Sequence, residues 1–140
     1  MKQIFINLPV GDLAVSVNFY SKLGFSPNPL FTFDNQKCMI WSDQIYLMLQ
    51  SVEMFRSGNS KNLPDSATNT INTFTLPVES YERVIELVES AVKAGGKESI
   101  PIIDEGFMQV RTIEDPDGHI WGIMNLNLEK FIEMKGKKQV

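Results

Sequence analysis

Leu8-Pro9-Val10-Gly11-Asp12-Leu13 closes one apolar run, and Leu76-Pro77-Val78-Glu79-Ser80-Tyr81 closes another, 68 residues later in a chain of 140. Each Leu-Pro-Val triplet is followed, after one residue, by a short polar residue that caps helices, Asp12 or Ser80. An amphipathic stretch comes next in both places. The halves therefore read as two copies of one strand-helix-strands unit. Two half-cups of this kind must be paired to close around a ligand. Matched positions in the two repeats are where chemistry is expected.

Working outward, Ile4–Val10 reads as a strand. Asp12 caps a helix through about Leu23, and Gly24 stops it. Three short strands are predicted around Leu30–Phe33, Lys37–Trp41 and Ile45–Leu49, with turn signals at Asp34-Asn35 and Ser42-Asp43. Residues 52–70 are polar and rich in Ser, Asn and Pro. They read as the linker, with Met54 and Phe55 as candidates to anchor it or cover a pocket. The second unit, 71–127, opens with a strand to Val78, then a helix from Ser80 ended by Gly95-Gly96. Ile100–Ile103 is apolar but broken by Pro101, which limits it to a weak edge strand. Phe107–Ile113 and Ile120–Leu126 are the last strands. Asp115-Pro116-Asp117-Gly118 joins them, with Pro and Gly where a type I turn prefers them. Residues 128–140 are left as a C-terminal tail. Its Lys135, Lys137 and Lys138 read as a solvated end.

The expected fold is α+β: two β-α-β-β-β units, 1–51 and 71–127, whose curved mixed sheets form a cup within one domain, helices outside. A chain this long buries about two thirds of its unfolded surface. Hydrophobic content of 43% and charge of 21% are those of a soluble globular protein. A net charge of −4 gives no general attraction to nucleic acid or anionic membrane. No signal peptide or 18-residue apolar run is present, so no membrane partner is expected. The single Cys38 excludes an internal disulfide and fits a reducing cytoplasm.

The chain resembles the vicinal oxygen chelate superfamily, which includes glyoxalase I, fosfomycin-resistance proteins, extradiol dioxygenases and bleomycin-binding proteins. The carriers are Leu8–Leu13, Asn18-Phe19-Tyr20, Leu23-Gly24-Phe25 and Asp115-Pro116-Asp117-Gly118-His119-Ile120-Trp121. Ile4–Val10 and Gly106–Asp115 are similar to motifs of a glyoxalase-like group labelled lactoylglutathione lyase. In metal-dependent members, His or Glu from four places holds a divalent ion. The resemblance puts those places at Phe5, Met48, Thr73 and Gly122. Phe, Met and Gly offer no hard side-chain donor, and a lone Thr hydroxyl is a poor ligand. No metal and no other cofactor is therefore expected.

Strand alternation sets the candidate pocket lining. Phe5 and Asn7 share a face, as do Thr73 and Thr75. So do Tyr46, Met48 and Gln50, and likewise Gly122 and Met124. A mid-strand Asn is intrinsically disfavoured, so Asn7 has a reason to be there, either a ligand hydrogen bond or an internal one. Arg111 lies mid-strand. It would grip a carboxylate or phosphate if turned inward, or pair with Glu114 or another surface acid. His119, the only histidine, is either a turn-end residue beside Trp121 or a pocket group.

Together these point to a metal-free protein that binds a small amphipathic molecule in an apolar cup, with a homodimer closing the pocket. The alternative is a lyase or isomerase related to glyoxalase I. A third reading is a domain serving mainly a dimer or partner interface.

Overall fold

The computed structural model describes residues 2–70 and 72–138. In the first half, β1 (Ile4–Val10) leads into α1 (Leu13–Leu23), then β2 (Ser26–Phe33), β3 (Gln36–Ser42) and β4 (Ile45–Ser51). They form one sheet in the order β1-β4-β3-β2, with β1 and β4 parallel and the rest antiparallel. A short helix α2 (Val52–Ser57) opens the connection to the second half. There, β5 (Thr73–Pro77) leads into α3 (Tyr81–Lys93), β6 (Lys97–Glu98), β7 (Ile103–Asp104), β8 (Met108–Glu114) and β9 (Ile120–Leu126). The second sheet runs β5-β9-β8-β6, with β7 also on β8 and β5 parallel to β9. The topology of the first half is thus repeated. The counterpart of β2 is split into two short strands, because Pro101 lies between them and cannot donate to a ladder.

The repeat is visible residue by residue. Asp12 accepts from the Val15 N–H and Ser80 from the Arg83 N–H, capping α1 and α3 alike. α1 buries Ser16, Phe19, Tyr20 and Leu23. α3 buries Val84, Leu87, Val88 and Ala91, each 68 residues on. Gly24 ends α1 in the left-handed region at φ 113°, which a residue with a Cβ avoids.

α1 and α3 pack against each other, so the two halves share one core. Leu8, Val10, Phe19, Tyr20, Leu23, Phe25, Leu47 and Leu49 come from the first half. Leu76, Leu87, Val88, Ile113, Trp121 and Ile123 come from the second. Each large apolar side chain fully buried this way contributes about 1.5–3 kcal/mol. In both sheets the helix-facing positions form this core, which leaves the alternate positions on the opposite faces. β2 spans eight residues rather than four, with irregular register between Asn28 and Phe33. Residues Leu128–Lys138, read from sequence as a tail, form helix α4, anchored by Phe131 on Phe107 with ring centroids 5.2 Å apart.

Candidate functional site

The Asp115–His119 turn binds the second half to the first. Asp115 is 4% exposed. One of its oxygens accepts from the Asp117 and His119 N–H groups at 2.9 and 2.8 Å. The other accepts from the Tyr20 hydroxyl of α1 at 2.5 Å, and that hydroxyl accepts from Trp121 Nε1–H at 2.9 Å. Asp117 takes the Gly11 N–H at 2.8 Å and Ser16 Oγ at 3.4 Å. His119 Nε2 bonds the Pro9 carbonyl at 2.7 Å. Ser66 Oγ donates to the Asp117 carbonyl at 2.7 Å, which holds the connecting segment down. Gly118, at φ 95°, is required here, since a Cβ would run into the Ser66 carbonyl. Burial pushes the Asp115 carboxyl above its ordinary range, with His119 and the Tyr20 hydrogen bond pulling the other way. Burial, then Asp115, pushes the Tyr20 phenol well up. A buried carboxylate this fully bonded is a structural staple between halves.

The candidate lining residues fall on two sheet faces. On the first sheet, Phe5 pairs with Tyr46 and Asn7 with Met48, and Gln50 follows beside Pro9. All five lie on the face away from α1. The Phe5 ring lies 4.7 Å from Tyr46 and 6.0 Å from Phe31, yet Phe5 stays 43% exposed. Gln50 donates to Gln36 at 2.9 Å. On the second sheet, Thr75 pairs with Gly122, while Thr73 and Met124 share their face. Thr73 and Thr75 are exposed, and Gly122 is covered by Thr75 and Val110. By offset and register, Phe5 corresponds to Thr73, Asn7 to Thr75, Met48 to Gly122 and Gln50 to Met124. Arg111 is on the other side of that sheet. It pairs with Ile123 in register and bonds Glu98 through Nε and Nη2 at 2.7 and 3.0 Å. The guanidinium holds the Glu98 carboxyl below its usual range.

A cavity of about 500 Å³ lies at the seam, between β1, the connecting segment, the start of β5 and the Gly118-His119 turn. Of the residues singled out as lining, it takes only Asn7. It adds Phe55, Lys61, Asn62, Leu63, Ser66, Phe74 and His119. Phe55 and His119 are pocket candidates of the sequence as well; for Lys61, Asn62, Leu63 and Ser66 the signal was the length of the polar connection. A run that long in a compact domain is commonly functional.

The four places where the resemblance puts metal ligands do not suit an ion. Phe5, Met48 and Gly122 offer no hard side-chain donor, and no three His, Cys, Asp or Glu side chains converge among the described residues. Neither does any described helix have the length and apolarity to cross a membrane.

Residues 2–123 match the family model described as the glyoxalase/bleomycin resistance protein/dioxygenase superfamily. No curated protein matches the chain. Among solved structures, a hypothetical protein of S. aureus is 26% identical, covering 89% of this chain and 94% of its own, with TM-score 0.71. A glyoxalase-related enzyme from Fulvimarina pelagi is 25% identical over 89% of this chain and 88% of its own, with TM-score 0.74. A genomically encoded fosfomycin resistance protein from Listeria monocytogenes, at 18% identity, covers 92% of this chain and 96% of its own with TM-score 0.66, a likeness of fold.

Proposed function

Since the chain belongs to the glyoxalase/bleomycin resistance protein/dioxygenase superfamily, with the vicinal oxygen chelate fold, we propose that it binds a small amphipathic molecule without a metal ion. One observation carries this reading. Phe5, Met48, Thr73 and Gly122 occupy the ligand positions, and no other His, Cys, Asp or Glu cluster among the described residues replaces them. The faces bearing them suit binding instead. The first offers an aromatic and thioether surface with the Asn7 carboxamide. The second offers two hydroxyls beside a glycine. Such a mixture, largely apolar with a few polar groups, is typical of small-molecule sites.

The cup is closed in this reading by a homodimer. Both faces are open in one chain, and β1 and β5 are edge strands of their sheets. Edge strands and exposed aromatics are liabilities unless covered. A twofold pairing would set the first face of one copy against the second face of its partner. Cys38, a buried free thiol, suits a reducing cytoplasm.

Glyoxalase I chemistry moves a proton between adjacent carbons while a metal holds the enediolate oxygens. Losing that stabilisation costs several kcal/mol of barrier, about 10³-fold or more in rate. Turnover of the glutathione hemithioacetal of methylglyoxal, assayed with added Ni²⁺ or Zn²⁺, is expected to stay at background. Metal-stimulated turnover well above background would reject the reading in favour of a lyase.

A further inference from the structure

The seam cavity is distinct from the two sheet faces, sharing only Asn7 with them, and its chemistry differs from that of the chain around it. The protein has 17 acidic against 13 basic residues. Among the described residues no carboxylate lines the cavity, and the titratable side chains there are Lys61 and His119. His119 is engaged with the Pro9 carbonyl. Lys61 makes no ion pair among the described residues. In a chain of net charge −4, a concave site lined without acids and holding a free ammonium is locally selective for anions.

Two further features face the same space. Phe55, Leu63 and Phe74 supply an apolar wall. Against it stand hydrogen-bonding groups that the protein leaves open. The side chains of Asn7 and Asn62 have no partner among the described residues, although each carboxamide both donates and accepts. The backbone of Asn7 is open too. The Ile4 N–H bonds on the β4 side, to Gln44. The Pro9 carbonyl and Gly11 N–H point the other way, to His119 and Asp117. Alternation along the strand turns the Asn7 N–H and C=O to that outer edge, where no strand pairs with β1.

We propose that this cavity is a binding site for a small organic acid with an apolar body. The carboxylate meets Lys61, and the body lies on Phe55, Leu63 and Phe74. A carbonyl or N–H of the ligand is read by Asn7 and Asn62. The volume of about 500 Å³ lies within the span of roughly 300–1,000 Å³ usual for small-molecule sites.

The test uses the full chain labelled with ¹⁵N and three probes of one shape: 3-phenylpropionate, 3-phenylpropanamide and 3-phenylpropylammonium. The side-chain NH₂ signals of Asn7 and Asn62 report occupancy directly. The acid is expected to shift both and to bind about tenfold or more tighter than the amide, the increment of one charge-assisted contact. The ammonium is expected to leave them unmoved. Lys61→Met should bring the acid to the level of the amide, while Lys22→Met, an equal charge change on α1, should not. Leu63→Trp, which fills the cavity, should abolish binding of the acid and of the amide probe, with the backbone N–H spectrum confirming that each variant is folded. Equal affinity for acid and amide, or no binding of the acid at millimolar concentration, would overturn the assignment. So would shifts confined to Phe5, Tyr46 and Thr75, which would support the sheet-face site instead.

Discussion

Tyr20 and Val88 occupy the same place in the two halves, 68 residues apart on α1 and α3, and both are buried. Ser16 and Val84 form a second such pair. The second half fills these places with plain hydrophobes. The first half fills them with hydroxyls, and both hydroxyls reach carboxylates of the Asp115–His119 turn. The sheet faces differ just as much, Phe5 and Met48 in one half against Thr73 and Gly122 in the other. The duplication thus supplies a scaffold of caps, helix faces and strand order, and the chemistry lies where the copies have diverged. The first half supplies the hydroxyl donors of a polar staple and bears an aromatic face. The second half supplies the accepting carboxylates and bears small, hydroxylated positions.

The staple is the place to break that asymmetry with the largest effect. Tyr20→Phe keeps the ring but leaves the Asp115 carboxylate short of a donor and Trp121 Nε1–H short of an acceptor, both buried. The expected loss is about 3 kcal/mol in urea unfolding. A loss below about 0.5 kcal/mol would mean that the hydroxyl contributes no more than a surface group.

The pH dependence of the staple is a sharper and smaller test. Burial raises the folded-state value of Asp115. A carboxyl raised in this way contributes most below its unfolded value and loses that contribution as pH climbs through the raised one. Wild type should therefore lose thermal stability relative to Asp115→Asn as pH rises from the acid range to neutrality. A difference in Tm that does not change with pH would show that the carboxyl is not perturbed.

How much of this was legible depended on distance along the chain. The Leu-Pro-Val triplets, their caps and the helical period are local, and they announced the duplication and its α+β fold. That Phe5 and Asn7 share a face, and that Tyr46, Met48 and Gln50 share one, followed from strand alternation; that the two sets lie side by side took the pairing of β1 with β4. Arg111 did not yield to the same rule. Alternation puts Arg111 on one face with Gln109 and Ile113, but which side faces α3 is decided by the packing of Ile113 against the core. The staple joins residues 95 apart, Tyr20 and Asp115. The cavity joins β1 to a polar connection whose composition announces only a loop. Helix α4 was missed because its Lys-rich end carries little apolar pattern and its anchor is the tertiary contact of Phe131 with Phe107.

The smallest effect separates Arg111 from the site. Its pair with Glu98 is partly exposed on both sides. Arg111→Ala should cost about 1 kcal/mol or less in unfolding, as exposed ion pairs do, and should leave retention of a copurified ligand unchanged. A tenfold or greater loss of ligand affinity would place Arg111 in the binding surface after all.

In the proposed function, divergence at Phe5, Met48, Thr73 and Gly122 leaves a binding cup without a metal, shared between two copies. Native mass spectrometry with elemental analysis, on protein purified without chelator, tests it most directly. Expected are twice the 15.9 kDa chain mass, a retained small molecule released on denaturation, and no stoichiometric divalent metal, in wild type and in Gly122→Glu alike. About one Ni, Zn, Mn or Fe per chain, or a monomer at micromolar concentration that still holds its ligand, would contradict it.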